Sequence, residues 1–180
     1  MTGAIRDQML AAIPSLRAFA VSLGGTRGWA DDLVQETLTR AWANQHSFRP
    51  GTNLTAWLFT ILRNEFYTQL RKRRREVEDA DDAYAQQLAT PPSQGGHMDL
   101  VDFGKALAEL PAEQREALIL TGGSGFSYEE AAEICGCAVG TIKSRVNRAR
   151  ATLSGKLKLD ETDTFGLDGA TIGIVAGGPR

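Results

Sequence analysis

The sequence predicts an all-α protein: two small helical domains joined by a flexible acidic linker. Three observations carry that prediction. Apolar residues recur at three-to-four spacing on both sides of the middle of the 180-residue chain, the pattern of helices that bury one face. Between them, residues 76–98 are acidic and poor in apolar groups, ending in Thr90-Pro91-Pro92-Ser93-Gln94-Gly95-Gly96, a composition that does not fold alone. The formal charge of −2 is a sum of opposed blocks: net +5 over residues 63–75 (six bases against Glu65), seven acids without a base over 76–102, and six bases without an acid over 134–159. The layout is a first domain over 1–75, a linker over 76–98, a second domain over 99–158, and a tail over 159–180.

In the first domain, Leu10, Ile13, Leu16, Phe19, Ala20 and Leu23 line one helix, which Gly24-Gly25 stops. A second helix begins near Trp29 with Asp31 and Asp32 in its first turn, where carboxylates suit the positive end of the dipole. Its apolar side is Leu33, Val34, Leu38, Ala41 and Trp42, which leaves Asp32, Gln35, Glu36, Thr39 and Arg40 facing outward. A breaker-rich loop, Phe48 to Thr52, precedes a third helix that Thr52 or Asn53 can cap. Leu54, Trp57, Leu58, Ile61, Leu62, Phe66 and Leu70 fill more than one stripe of it, and it runs into Arg71 to Arg75. Aromatics interleaved with bases here (Trp57, Phe59, Arg63, Phe66, Tyr67) fit single-strand binding, since unpaired bases stack on rings while cations follow the backbone. They fit a buried core with a solvated basic end equally well.

The second domain opens on a helix from Asp99 through Glu109, broken at Leu110-Pro111, with Pro111 heading the next helix, Ala112 to Leu120. Gly122-Gly123-Ser124-Gly125 predicts a loop. Ser127-Tyr128-Glu129-Glu130 has the form of a capping box, so a short helix starts there, packs Ala131, Ala132, Ile134 and Cys135 inward, and ends at Gly136. Val139, Ile142, Val146, Ala149 and Leu153 then make the core stripe of a last helix. Short helix, tight turn and basic second helix form a helix-turn-helix. The outer face of that second helix offers Thr141, Lys143, Ser144, Arg145, Asn147, Arg148 and Arg150; early residues suit base edges and the later arginines suit phosphates.

Other chemistry fails on count or spacing. Cys135 and Cys137 have no second Cys pair, and His46 and His97 lie far off, so no zinc site forms and no disulfide framework exists. The Gly122 to Gly125 run lacks the Gly-Lys-Ser/Thr ending of a phosphate loop. Asp31 and Asp32 are adjacent and point to different sides of a helix. No enzyme active site and no cofactor are expected. No run approaches the about 20 apolar residues of a membrane span, and the N-terminus does not read as a signal peptide, which points to a cytoplasmic protein.

Several segments together resemble an extracytoplasmic-function sigma factor of the sigma-70 family. They are Asp31-Asp32-Leu33-Val34-Gln35-Glu36 through Trp42; Trp57 through Asn64 before an Arg cluster; Leu110-Pro111-Ala112-Glu113-Gln114-Arg115-Glu116-Ala117; Ser127 through Ala132; and Val139 through Val146. The wording from Gly125 to Gly140 further resembles the EcfG-type branch, which directs the general stress response under an anti-sigma protein of NepR type. The resemblance implies a promoter-specificity subunit whose partners are core RNA polymerase, promoter DNA and that inhibitor, with no membrane partner. It implies that Asp32, Gln35 and Glu36 dock on polymerase. Trp57, Arg63, Asn64 and Arg71 would serve the minus-ten element, with Asn64 near a pocket for a flipped base shaped by the loop from Phe48 to Thr52. Thr141, Lys143, Ser144, Arg145, Asn147, Arg148 and Arg150 would serve the minus-thirty-five element. The acidic linker would suit an extended path through a basic channel. The tail beyond Asp160 is longer than the family needs. A free-standing helix-turn-helix regulator, or a mimic that only sequesters an anti-sigma protein, are the alternatives.

Overall fold

The computed structural model describes residues 3–24, 26–78 and 98–157; the body of the predicted linker and the tail lie outside them. Seven α-helices follow in order: α1 (Gly3–Ser22), α2 (Arg27–Ala43), α3 (Leu54–Glu78), α4 (Met98–Ala108), α5 (Ala112–Leu118), α6 (Tyr128–Cys135) and α7 (Val139–Leu157). Among the described residues there is no strand. Helices α1 to α3 pack on one another as one bundle, and α4 to α7 form a second around α7.

Local chemistry sets the ends of these helices. Thr26 caps α2, its Oγ1 accepting from the Trp29 N–H at 3.3 Å. The helix thus starts at Arg27, earlier than predicted, and Asp31 and Asp32 fall beyond its first turn. Of the two predicted caps for α3, Asn53 serves: its Oδ1 accepts from the Ala56 N–H at 3.2 Å. α3 continues to Glu78, past residue 75. The capping box of α6 forms as predicted, Glu130 N–H to Ser127 Oγ at 3.1 Å and Ser127 N–H to Glu130 Oε2 at 2.9 Å. Gly136 closes α6 in the left-handed region at φ 63°, which a side chain would disfavour, and the Cys137 N–H bonds back to the Ala132 carbonyl at 3.0 Å. Instead of opening into a loop at once, Gly122-Gly123 belongs to a π-helical turn, Ile119–Gly123, that prolongs α5.

The core stripe of α7 is as read: Ile142, Val146, Ala149 and Leu153 are fully buried, with Val139 partly so. Three predicted core residues face water instead. Leu10 is 55% exposed, because the stripe of α1 runs one position earlier through Met9 and Ala12 to Leu16. Trp42 is 51% exposed; the inward side of α2 is already filled by Ala30, Leu33, Val34, Thr37 and Ala41. Leu70, at 39%, lines a solvent-open cleft with Leu23, Thr26 and Trp29 at the end of the first bundle.

The two bundles are closed on each other, and their buried residues form one continuous cluster. α3 packs against α6, and α1 against the π turn. Phe59 stacks on Phe19 within the first bundle at 5.0 Å and meets Phe126 of the second edge-on at 4.9 Å. Arg115, buried in the second bundle, reaches the Ser22 carbonyl of the first at 3.5 Å.

Candidate polymerase and nucleic-acid interface

The outward face of α2 carries the residues that the sequence places there. Asp32 and Gln35 are exposed, and Glu36 is half-exposed and paired with Arg40, whose Nε donates to Glu36 Oε1 at 2.8 Å. Trp42 joins this face, because it stands seven residues after Gln35 on the same side of the helix. A large exposed indole among polar groups marks a contact surface better than a core position.

Beside that face, Arg40, Asn44, Ser47, Trp57, Ile61, Asn64, Glu65 and Thr68 line a solvent-open cleft of about 260 Å³. Trp57 is half-buried against Phe48, with ring centroids 5.4 Å apart, so Phe48 packs on a residue of the cleft wall, although none of Phe48 to Thr52 lines the cleft itself. Asn64 is exposed at its wall. The cleft thus combines an aromatic face, an amide with donor and acceptor, and hydroxyls. Phe59 and Phe66, candidates for stacking in the sequence, belong to the core. Arg71 is exposed at the basic end of α3, its guanidinium 3.3 Å from the Thr68 hydroxyl.

Arg63 is in a different place from its neighbours. Its Nε donates to Glu116 Oε1 at 2.6 Å, its guanidinium covers the Tyr67 ring at 4.7 Å, and its side chain is only 18% exposed. Tyr67 donates to Glu116 Oε2 at 3.2 Å. Glu116 is fully buried, and burial raises its carboxyl above the ordinary range against the opposing pull of Arg63. Burial also raises the Tyr67 hydroxyl, reinforced by the Glu116 charge. In this closed form Arg63 is an interdomain partner rather than a free DNA contact.

On α7, Lys143, Asn147, Arg148 and Arg150 are exposed, and Thr141 and Ser144 are half-buried. The Lys143 ammonium lies 5.9 Å from the Tyr128 ring centroid. Arg145 is paired with Glu113 of α5 at 2.8 Å and is largely covered. Behind this helix Cys135 is buried, and burial pushes its thiol up to about 12, the behaviour of a packing residue rather than a nucleophile or metal ligand. Among the described residues no group of His, Cys, Asp and Glu is arranged to hold a metal, and no helix is long and apolar enough to cross a membrane.

Comparison with known proteins places the chain in a family. Residues 10–76 match the family model Sigma-70 region 2, and residues 100–153 match Sigma-70, region 4. The chain is 61% identical over 177 residues to the ECF RNA polymerase sigma factor EcfG of Rhodopseudomonas palustris, covering 98% of both chains. It is an ECF sigma factor of the EcfG type. Solved structures agree with this sigma-factor assignment. The sigma factor RpoE of Bartonella quintana, in complex with the anti-sigma factor NepR, matches with a TM-score of 0.78 at 60% identity, over 86% of this chain and 97% of that one. CnrH, in complex with the cytosolic domain of CnrY, matches with a TM-score of 0.60 at 30% identity, over 88% of each. A region 2 match and near-full-length identity to a sigma factor favour this reading over a free-standing regulator or a sequestering mimic. Arg40, Trp42 and Glu65 at these surfaces, and Glu116 in the joint between the bundles, received no binding role from the sequence, which set Trp42 in the core.

Proposed function

We propose that this sigma factor docks on core RNA polymerase through Asp32, Gln35, Glu36 and Trp42, captures the non-template strand of the minus-ten element in the cleft beside Asn64, and holds the minus-thirty-five duplex with α7. The observation that carries this is the adjacency of two features on one bundle: an exposed polar face on α2 and, next to it, an open cleft with an indole and an amide. An extruded base costs a few kcal/mol in lost stacking, which the Trp57 ring and the Asn64 amide offset. Lys143, Ser144 and Asn147, on the early part of α7, suit base edges, while Arg148 and Arg150 suit phosphates. Nucleotidyl transfer belongs to polymerase, so the work of this chain is binding.

The closed form fits a resting state. Arg63 is held by Glu116 and Arg145 by Glu113, so two bases assigned to DNA are occupied by carboxylates. Polymerase would separate the bundles and free Arg63, whereas Arg145 and Glu113 both belong to the second bundle, so that pair is exchanged for DNA there. The 60% identity to a NepR-bound sigma factor supports control by an anti-sigma protein of that type, and the 61% identity to an EcfG supports a role in the general stress response. Footprinting tests the reading: the chain alone protects promoter DNA weakly, and with core polymerase both elements are protected. Strong protection of a single site by the free chain would contradict it.

A further inference from the structure

The cleft that receives a polyanionic strand has a carboxylate in its wall. Glu65 lines it with a side chain only 8% exposed, so this acid cannot swing into solvent. Its Oε1 accepts from Gln69 Nε2 at 3.1 Å, and its Oε2 lies 3.0 Å from Arg40 Nη2, an ionic contact rather than an aligned hydrogen bond. Arg40 comes from the other helix, α2, and its Nε is spent on Glu36. One half-exposed guanidinium therefore spans from the proposed docking face to the strand cleft.

We propose that Arg40 is a positioning residue for strand capture: it neutralises Glu65 and so keeps the cleft receptive to nucleic acid. Without it, a buried carboxylate would stand unpaired where the strand must enter, at a cost both in its own desolvation and in repulsion of phosphate. Because Arg40 also holds Glu36 through Nε, docking that draws Glu36 away leaves the guanidinium to Glu65 alone, so the neutralisation of the cleft is strongest in the holoenzyme. The proposal rests on the cleft being the strand site.

The test is a double-mutant cycle on the assembled holoenzyme. A fluorescent single-stranded oligonucleotide carries the non-template minus-ten region of a promoter that this holoenzyme transcribes, and anisotropy measures its affinity. R40Q weakens binding about tenfold, or ~1.4 kcal/mol. When Glu65 is already Gln, the same R40Q change costs less than about twofold, because no charge is left to compensate. R40K, which keeps the charge, stays within about twofold of the parent by the same logic. Melting temperatures confirm that each variant is folded before it is titrated. An equal loss from R40Q in both backgrounds, or no loss at all, overturns the proposal. N64A separates the two levels: if it weakens the strand while the cycle is additive, only the role of Arg40 falls; if N64A has no effect, the strand site itself is wrong and the proposal falls with it.

Discussion

Glu116 and Glu130 both reach across the joint between the bundles, and their surroundings push them in opposite directions. The Ser127 N–H, followed by the Asn53 amide at 2.8 Å, holds the Glu130 carboxyl below its ordinary value of 4.5. Its contribution is complete above 4.5 and is lost as pH falls through the lowered value. Burial raises Glu116 above 4.5, so its contribution to closure is complete below 4.5 and is lost as pH rises through the raised value. Mild acidification from neutral pH should therefore make the free chain more compact while the Glu130 contact is still intact. Small-angle scattering reads this as a falling radius of gyration, and E116Q should flatten the trend; an unchanged trend in E116Q would contradict it. The Ser127 cap is a separate test. S127A removes one acceptor of the capping box and should cost about 1 kcal/mol of stability, seen as a lower melting temperature.

Helices that bury a single stripe were legible in the sequence, and helices that bury more than one side were legible only in part. α7 packs on one side and carries its bases on the other, so its stripe from Val139 to Leu153 could be read directly. α1 faces both its own bundle and the π turn, and its true stripe runs through Met9 where Leu10 was the more obvious apolar choice. α3 shows the limit most clearly: Trp57, Leu58, Phe59, Ile61 and Leu62 cover most of its circumference, and no periodicity says which side meets α6. For that reason Arg63 read as a DNA contact, and its pairing with Glu116, 53 residues away, left no local signal. Trp42 was misplaced on hydrophobicity alone. As an exposed anchor beside Gln35, it should matter for binding and little for folding. W42A should weaken core polymerase affinity by at least about fivefold, an interface cost above ~1 kcal/mol, with the melting temperature nearly unchanged. Normal affinity would remove Trp42 from the docking face.

At the scale of the whole molecule, the near-neutral total charge conceals two basic surfaces, and a carboxylate answers part of each: Glu116 across the joint for Arg63, and Glu113 within the second bundle for Arg145. The Arg63 and Glu116 pair sits in a mostly buried joint, where removing one partner is far more costly than on the surface. R63E would set two carboxylates against each other and should open the free chain, read as a larger radius of gyration; an unchanged radius would mean that the other contacts across the joint, Phe59 on Phe126, Asn53 to Glu130 and Arg115 to the Ser22 carbonyl, hold it without the pair. Opening is what the assignment of function needs, because the strand cleft and α7 must engage DNA elements that are apart. Run-off transcription with core polymerase on a cognate promoter tests that claim most directly. The account predicts that transcript depends on this chain and that N64A and K143A each abolish most of it; full transcript yield from both variants would contradict the assignment.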